Sequence, residues 1–320
     1  MTLTNVTGIS LPLAVWLASD NYDFTPGDKS ISATALLKPV RQILLKERHT
    51  EKSREIPDVS DFIASRLGHS IHDGIEAAWT NNYVKAFKSL GYPDDMIELI
   101  RVNPTEVEEG TIPVYLELRG EREFAGYTIS GKFDMVLEET LQDFKSTSTF
   151  SYTSGSKDED YRIQGSIYKW IHQDKITADY INIQFIFTDW ARYRAKQDPK
   201  YPQQRVLEHR VELMSLEETE EWIKGRIDEL EAAADLDEVD LPECSEKDLW
   251  MQPTRYKYFN NPLKTDGRAT RVFDNLAEAN KLKAEKGGKG VVITVPGLVK
   301  ACGYCGGFNL CTQKDRYEHG

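Results

Sequence analysis

The sequence predicts an α/β or α+β protein in which a central mixed β-sheet is flanked by helices. Apolar residues recur at helical spacing before residue 100 and alternate with polar residues from about residue 111. The elements follow in the order helix, strands, helix, strand, strand, helix, which is typical of a layered sheet and helices. A chain of 320 residues, 40% of them hydrophobic, can bury a substantial core.

Two helices are predicted ahead of the sheet. The first covers SISATALLKPVRQILLKER, entered from Ser30 or Ser32, and its apolar face consists of Leu36, Leu37, Val40 and Leu44. The second covers SDFIASRLGHSIHDGIEAAW, with Ser60 as the expected N-cap. Apolar residues recur along it at helical spacing, so we expect a long buried helix.

The sheet begins with three consecutive antiparallel strands. They are TIPVYLELRGERE, AGYTISGKFDMVLEE and TLQDFKSTS, and Gly120 and the Glu138–Glu139 pair mark the bends. A helix over DEDYRIQGSIYKWIHQ and strands over ADYINIQFIFTDW and QRVLEHRVELM follow. Ser215 and Glu218 then form a capping box that opens the helix SLEETEEWIKGRIDELEAAA.

Charge and composition divide the chain in two. The acidic stretch Asp235–Pro242 indicates a boundary, so we expect a core over 1–236 and a small cysteine-containing region over 237–320. The net charge of −12 is unevenly distributed: residues 251–320 hold 12 Lys and Arg against 6 Asp and Glu. An excess of acid argues against nucleic-acid binding, but this basic region weakens that objection.

No apolar run is as long as the roughly 18 residues that a membrane span needs, and the first residues lack the pattern of a signal peptide. The sequence therefore predicts a cytoplasmic protein with no membrane partner.

A candidate catalytic constellation lies in the predicted sheet. Gly131-Lys132-Phe133-Asp134 is followed by Asp143-Phe144-Lys145, and a tight turn would place Asp134 beside Asp143. Lys145 lies two residues beyond Asp143 and therefore on the same face of its strand. Two carboxylates near one ammonium could hold Mg²⁺ together with a phosphate group. Taken alone, the D-x-K pattern is also typical of an exposed strand with a salt-bridged lysine.

The flanking helices add polar residues at one-turn spacing. His72 and Glu76 share a helical face close to Gly68, and a neutral imidazole could be a further metal ligand. Gln164 and Tyr168 are similarly placed on the later helix. A hydrogen-bonded structural histidine is the alternative for His72.

Together these motifs resemble the RecB-like branch of the PD-(D/E)XK nucleases. The order is the same: G-x-x-x-H (Gly68, His72), G-x-x-D (Gly131, Asp134), D-x-K (Asp143, Lys145) and Q-x-x-x-Y (Gln164, Tyr168). The resemblance implies a restriction-endonuclease-like core and Mg²⁺ or Mn²⁺ as cofactor. It also implies that His72, Asp134, Asp143 and the Phe144 carbonyl hold the metal. Lys145 would then be the catalytic lysine, supported by Gln164 and Tyr168.

Three cysteines crowd the C-terminal end. Cys302, Cys305 and Cys311 have C-x2-C-x5-C spacing, which is similar to the iron–sulfur motif of AddB-type and CRISPR-adaptation nucleases. That family has a further cysteine near the N-terminus, where this chain has Lys38 in ISATALLKPVR. Cys244 is the remaining cysteine and the candidate fourth ligand of a [4Fe–4S] cluster. A four-cysteine zinc site and three buried cysteines without metal are the alternatives.

The resemblance implies a DNA nuclease, in the first place an exonuclease of recombination, repair or phage DNA metabolism. Its partners would be linear or single-stranded DNA ends and a recombination or replication protein. A non-catalytic DNA-binding accessory protein with a zinc site is the alternative, and the intact D-x-K pattern argues against it.

Overall fold

A computed structural model describes residues 3–19, 29–48 and 56–317. The chain forms two compact units, one of Met1–Leu37 and Glu55–Ile227 and the other of Lys38–Arg54 and Asp228–Gly320. No helix in these described ranges is long and apolar enough to cross a membrane. The predicted α/β class with a central mixed sheet and flanking helices is confirmed.

The first unit contains nine strands within the described ranges, and they form two sheets. Their bounds are β1 Ser30–Ser32, β2 Ile100–Val102, β3 Ile112–Leu116, β4 Arg119–Phe124, β5 Tyr127–Lys132, β6 Met135–Leu137, β7 Thr140–Thr147, β8 Tyr180–Phe187 and β9 Val206–Glu212. Six of them form a sheet in the order β2-β3-β6-β7-β8-β9, in which the β2–β3 and β7–β8 pairs are parallel and the others antiparallel. The other three form a small sheet in the order β1-β5-β4.

The helices of this unit are α1 Leu11–Ala18, α2 Ala33–Leu36, α4 Ile63–Asn81, α5 Tyr83–Ser89, α6 Asp94–Ile97, α7 Thr149–Ser154, α8 Asp158–Ile171 and α9 Arg192–Gln197. Helix α3, Val40–Arg48, belongs to the second unit, and the division between the units falls within α10, Leu216–Ala233.

The predicted meander from residue 111 to 147 has the expected order and direction, but its first two strands are each broken. The first run stops at Glu117, where φ is +50°, and resumes as β4, while the second run breaks at Phe133–Asp134. The halves on either side of the breaks belong to different sheets. Three unbroken strands were therefore the wrong prediction, because left-handed backbone at Glu117 takes the chain out of one ladder and into another.

The bends were predicted half correctly. Glu138 and Glu139 both have positive φ and connect β6 to β7 as expected. Gly120, by contrast, lies inside β4 opposite Gly131, and the turn is at Ala125–Gly126, where φ is +49° and +81°. Two successive positive φ values are the backbone geometry of a tight two-residue hairpin.

Helix α8 packs closely on the strands because three glycines leave room for it. A Cβ on Gly131 would lie 2.8 Å from Tyr168 Cδ1, and one on Gly120 would overlap the His172 ring. Within α8, a Cβ on Gly165 would lie 3.2 Å from Ile181 Cδ1 on β8. Tyr168 is buried as a result.

Helix α4 differs from the long buried helix expected. It has no fully buried side chain, and its apolar residues Ile63 and Leu67 are 42% and 55% exposed. The reason is that the helix covers the sheet with one face only, Gly68 lying near Ser146 of β7. Its expected N-cap, Ser60, lies instead in a 3-10 turn capped by Asp58, and α4 begins at Ile63.

Several local predictions are confirmed. Ser32 caps α2 by accepting a 3.2 Å hydrogen bond from the Ala35 N–H. The single helix predicted over 30–48 is wrong, because Ser30–Ser32 is strand β1 and the chain breaks at Pro39 between α2 and α3. Ser215 and Glu218 form the expected capping box of α10, with hydrogen bonds of 2.8 and 3.1 Å. The helix over 158–171 and the strands over 180–187 and 206–212 are present as predicted.

The second unit contains a small antiparallel sheet and the cysteine segment. Its strands are β10 Arg255–Phe259, β11 Arg271–Phe273 and β12 Val291–Val295, in the order β11-β10-β12, and its last helix is α11 Leu276–Glu285. Tyr258, Phe273 and Ala279 form its core. A separate cluster packs Leu249 and Val299 against Cys302.

Candidate functional site

Glu117 and Asp134 lie at the two strand breaks and face each other across the hairpin. The register of β4 and β5 and that of β3 and β6 both place residue 117 opposite residue 134. The Glu117 N–H donates to the Asp134 carbonyl over 2.9 Å, which holds the two breaks together. Two carboxylates are thereby fixed at one point of the fold.

His72 of α4 completes a three-residue group with these carboxylates. Its Nδ1 lies 3.4 Å from Asp134 Oδ1 and 3.8 Å from Glu117 Oε1. One ligand atom from each of the three residues lies within 4.8 Å of the others, and all three side chains are half-buried. Within the described part of the chain, no other three His, Cys, Asp or Glu residues bring their ligand atoms this close together.

The backbone of Phe144 connects this group to β7. Its N–H donates to Asp134 Oδ2 over 2.9 Å, and its carbonyl oxygen lies 3.0 Å from His72 Nε2. The neighbouring carboxylates of Asp134 and Glu117 raise the pKa of His72 to about 10. The imidazolium therefore supplies positive charge among these oxygens. It must lose its proton before it can bind a metal ion, because only the neutral ring is a ligand.

Asp143 and Lys145, on either side of Phe144 in β7, form a second pair. Their Oδ2 and Nζ atoms lie 2.6 Å apart. Burial raises the pKa of Asp143 to about 6, and the negative charge of Asp134 acts in the same direction, whereas the Lys145 ammonium opposes both. Asp143 is only 3% exposed, and no described residue donates to its Oδ2 with good hydrogen-bond geometry.

The same charges act on the neighbouring groups. Burial favours the neutral form of Lys145, but the carboxylates of Asp143 and Asp134 outweigh it and raise its pKa. Burial also favours the neutral form of Asp134, and there the hydrogen bond from His72 and the charge of Lys145 lower the pKa. The charged Lys145 ammonium thus stabilises the ionised carboxylates of both Asp143 and Asp134.

Gln164 and Tyr168 of α8 are hydrogen-bonded to each other near Asp143 and Lys145. The Gln164 amide donates to the Tyr168 hydroxyl over 2.9 Å and to Thr34 Oγ1 over 3.2 Å. Burial and the nearby charge of Asp143 raise the pKa of Tyr168, which keeps its hydroxyl protonated. The Tyr168 ring lies against Gly131, so the G-x-x-D glycine provides the space that it occupies.

The structure brings together the residues chosen from the sequence and adds one. His72, Asp134 and the Phe144 backbone are in direct contact, and Asp143 pairs with Lys145. Glu117 was missed, although the turn at Ala125–Gly126 would have shown that it opposes Asp134. Glu117 lies beside His72, its Oε1 3.8 Å from the His72 Nδ1.

The four cysteines lie together in the second unit. Cys244, Cys302, Cys305 and Cys311 line one cavity of about 30 Å³. Cys244 is held by its backbone, whose N–H donates to Gln313 Oε1 and whose carbonyl accepts from Gln313 Nε2, both over 2.9 Å. Burial raises the pKa of Cys244 to about 12 and raises the pKa of Cys302 and Cys305 as well. Unless a metal binds them, these three cysteines are therefore neutral thiols.

Helix α3 forms one wall of this cavity. Arg41 Nη1 lies 3.7 Å from Cys311 Sγ, and the Arg41 side chain also pairs with Glu238. The cysteine loop reaches the helix because Gly307 has no side chain; a Cβ there would lie 2.5 Å from Leu45 Cβ. Lys38, just ahead of α3, is close enough to Cys305 for the thiol to affect its pKa, which burial lowers.

Comparison with known proteins finds similar solved structures at low sequence identity. No protein-family model matches the sequence, and no curated protein matches it. Among the similar solved structures is the crystal structure of SSO0001, with 16% identity, 64% of this chain and 78% of that chain covered, and a TM-score of 0.40. Another is a phage-related exonuclease from Haemophilus somnus 129PT, with 18% identity, coverage of 60% and 91%, and a TM-score of 0.25. Likenesses at this level support no assignment of function.

Proposed function

We propose that this protein is a Mg²⁺- or Mn²⁺-dependent deoxyribonuclease, an exonuclease of the RecB-like PD-(D/E)XK class. The observation that carries the proposal is the contact of Asp134 with both His72 and the Phe144 N–H, directly beside the Asp143–Lys145 pair. Residues that are far apart in the sequence lie close together there. Their order along the chain matches the order of the nuclease motifs. Burying these charges costs stability, so a fold that keeps them is expected to use them in its function.

The donor set suits a hard divalent ion. Carboxylate oxygens of Glu117 and Asp134, the Phe144 carbonyl and the His72 imidazole are ligands of the kind that Mg²⁺ and Mn²⁺ accept. Asp143 presents a buried oxygen whose partner is the Lys145 ammonium, and a second positive charge would satisfy it further. We infer that these residues hold the ion, with Glu117 as an addition to the expected set.

When bound, the ion would polarise the scissile phosphate and lower the pKa of a water molecule. Lys145 is held in its charged form by the two carboxylates, so it can orient the attacking water or stabilise the charge that develops on the phosphate. Gln164 and the protonated Tyr168 support the wall of the site through the hydrogen bond between them. The alternative of a non-catalytic DNA-binding protein leaves Asp143 and Lys145 without a role.

We infer that the four cysteines hold a [4Fe–4S] cluster. All four line one cavity, and Cys244 supplies the ligand that Lys38 does not. The C-x2-C-x5-C spacing of Cys302, Cys305 and Cys311 is the observation that favours a cluster, and a four-cysteine zinc site is the alternative.

A cleavage assay tests the nuclease assignment. Linear and covalently closed circular DNA are incubated with the protein over a series of Mg²⁺ and Mn²⁺ concentrations. An exonuclease degrades the linear molecule only, and a chelator stops it. Binding to DNA with no cleavage at any metal concentration would favour the accessory-protein alternative. The resemblance of the motifs associates such an activity with recombination, repair or phage DNA metabolism.

A further inference from the structure

The connection between β8 and β9 is much longer than its strands require. Neighbouring antiparallel strands are usually joined by about two to five residues. Here residues 188–205 separate them, although the Phe187 N–H donates to the Arg205 carbonyl over 2.9 Å and closes the ladder at its end. Long connections inside a compact unit usually serve a function.

This connection is held in one conformation by its own hydrogen bonds. Trp190 Nε1 donates to the Pro202 carbonyl over 2.8 Å, and the Ala191 N–H donates to the Tyr201 hydroxyl over 3.0 Å. The two halves of the connection are therefore joined across helix α9. The backbone of α9 is held in place before any partner binds, which lowers the entropy cost of binding.

The connection is basic within an acidic part of the chain. It holds five Lys and Arg against two Asp. Both aspartates accept hydrogen bonds from backbone N–H groups, Asp189 from Thr149 over 2.7 Å and Asp198 from Lys200 over 2.9 Å. Exposed cations therefore dominate this surface. In the described part of the chain, no ion pair is formed by Arg192, Arg194, Lys196 or Lys200.

Two exposed aromatic rings accompany these cations. Tyr193 on α9 is 60% exposed, and Arg194 Nε donates to its hydroxyl over 3.2 Å. Phe150 on α7 is 75% exposed. Helix α7 is anchored through Tyr152, whose ring lies 5.5 Å from that of Phe185 on β8. Helix α7 thus packs its Tyr152 ring against the sheet and leaves the Phe150 ring in solvent.

Both rings lie beyond the C-terminal ends of β7 and β8, and β7 is the strand that carries Asp143 and Lys145. Strands β7 and β8 are parallel, so α7 and the connection leave the sheet at the same end. Asp189 bonds the two segments together through the Thr149 N–H and hydroxyl. Phe150 follows Lys145 by only five positions in the chain.

We propose that Phe150, Tyr193, Arg192, Arg194 and Lys196 form a surface that binds single-stranded DNA beside the scissile bond. Nucleobases would stack on the two rings, and phosphates would meet the three cations. The strand must be unpaired, because base faces inside a duplex are covered by their neighbours. This inference rests on the proposed nuclease function, since it places the strand next to Asp143 and Lys145.

Fluorescence anisotropy tests the surface without any cleavage. The protein is titrated against labelled oligothymidylate of about 16 nucleotides and against a duplex of equal length, with a metal chelator present. Phe150→Ala and Tyr193→Ala should each weaken binding to oligothymidylate roughly five- to 150-fold, the range for removal of one stacked base. Tyr193→Phe keeps the ring and should bind as the wild type does. Leu90→Ala, on an equally exposed residue of the same unit, is the matched control.

The salt dependence tests the cations separately. Arg192→Ala and Lys196→Ala each remove one cation that would neutralise a phosphate. Either variant should therefore reduce the slope of log affinity against log salt by about 0.7. Wild-type affinity in both alanine variants at Phe150 and Tyr193 would overturn the surface, as would equal weakening of oligothymidylate and duplex binding. Because the assay needs no cleavage, an inactive protein would refute the nuclease assignment while leaving this result readable.

Discussion

The carboxylate of Asp134 accepts a 2.9 Å hydrogen bond from the backbone N–H of Phe144, the residue between Asp143 and Lys145. This bond joins the break between β5 and β6 to the middle of β7. The second oxygen of the carboxylate is directed at His72, 3.4 Å away. Asp134 therefore has a structural contact and a candidate ligand role at once, and a useful variant must separate them.

Asparagine at position 134 makes that separation, because its amide oxygen can still accept from Phe144 while the negative charge is removed. We expect Asp134→Asn, Asp143→Asn and Lys145→Ala each to lower the cleavage rate by about 100-fold or more, as expected when an electrostatic catalytic group is removed. Urea unfolding should show that all three variants remain folded. The exposed carboxylate Asp179 provides a control, and Asp179→Asn should cleave at the wild-type rate. Wild-type rates in the three site variants would end the catalytic assignment.

Glu117 and His72 provide a test of the ligand set. Glu117→Gln and His72→Ala should each raise the Mg²⁺ or Mn²⁺ concentration needed for half-maximal cleavage, by roughly ten- to 100-fold, since each change removes a ligand. A metal titration of the cleavage rate measures this shift. Glu121→Gln, on β4 at an exposed position, should leave the titration unchanged. If Glu117→Gln titrates as the wild type does, Glu117 serves only to pair with Lys132.

The cysteine cavity predicts a specific metal content. Protein prepared without oxygen should contain about four iron atoms per chain, whereas one zinc would support the four-cysteine zinc alternative. Cys244→Ser should lose as much iron as Cys302→Ser, because both thiols line the cavity. Lys38→Ala should keep the iron. Removal of the metal should increase hydrogen exchange first in residues 237–320, which supply the ligands. Protein with neither metal would show that these cysteines are only packing.

Gly131 under helix α8 and Gly74 on helix α4 predict opposite effects of the same glycine-to-alanine substitution on stability. Gly131→Ala would place its Cβ 2.8 Å from the Tyr168 ring and should lower the free energy of unfolding by about 1–3 kcal/mol. Gly74→Ala on α4 meets no atom within 4 Å and should raise it by up to about 1 kcal/mol, since alanine favours a helix. Urea unfolding curves of both variants measure the difference. Equal stabilities would mean that α8 can move away from β5 without cost.

His172 predicts how stability depends on pH. Burial lowers its pKa to about 4, and its ring packs edge-on against Phe133. Below about pH 6.5 the unfolded chain binds a proton that the folded chain rejects, so the stability contributed at higher pH is lost as pH falls from 6.5 towards 4. His172→Leu should not show this decrease, and its free energy of unfolding relative to wild type should rise over that range. A constant difference between the two proteins across these pH values would contradict the assignment.

Much of the fold could be predicted from periodicity and capping residues. The capping box at Ser215 and Glu218 and the Ser32 cap follow from local hydrogen bonding, which the sequence carries directly. The breaks at Glu117 and Asp134 could not be predicted in the same way. They depend on how two sheets share one hairpin, and positive φ at a glutamate leaves no sign in the residue type.

The candidate site shows the same division. Asp134, Asp143 and Lys145 followed from strand alternation together with a known motif, and their spacing was enough to place them. Glu117 required the correct turn, and placing a bend at Gly120 hid its position opposite Asp134. The partial exposure of α4 was missed because its apolar spacing equals that of a buried helix, while exposure depends on what covers its other face.

The most direct test of the whole account is the rate at which wild-type protein degrades end-labelled linear DNA with Mn²⁺ and with a chelator. The arrangement of His72, Glu117 and Asp134 beside Asp143 and Lys145 predicts degradation with the metal and none with the chelator. Degradation that continues at the same rate in the chelator, or none at any Mn²⁺ concentration, would contradict it.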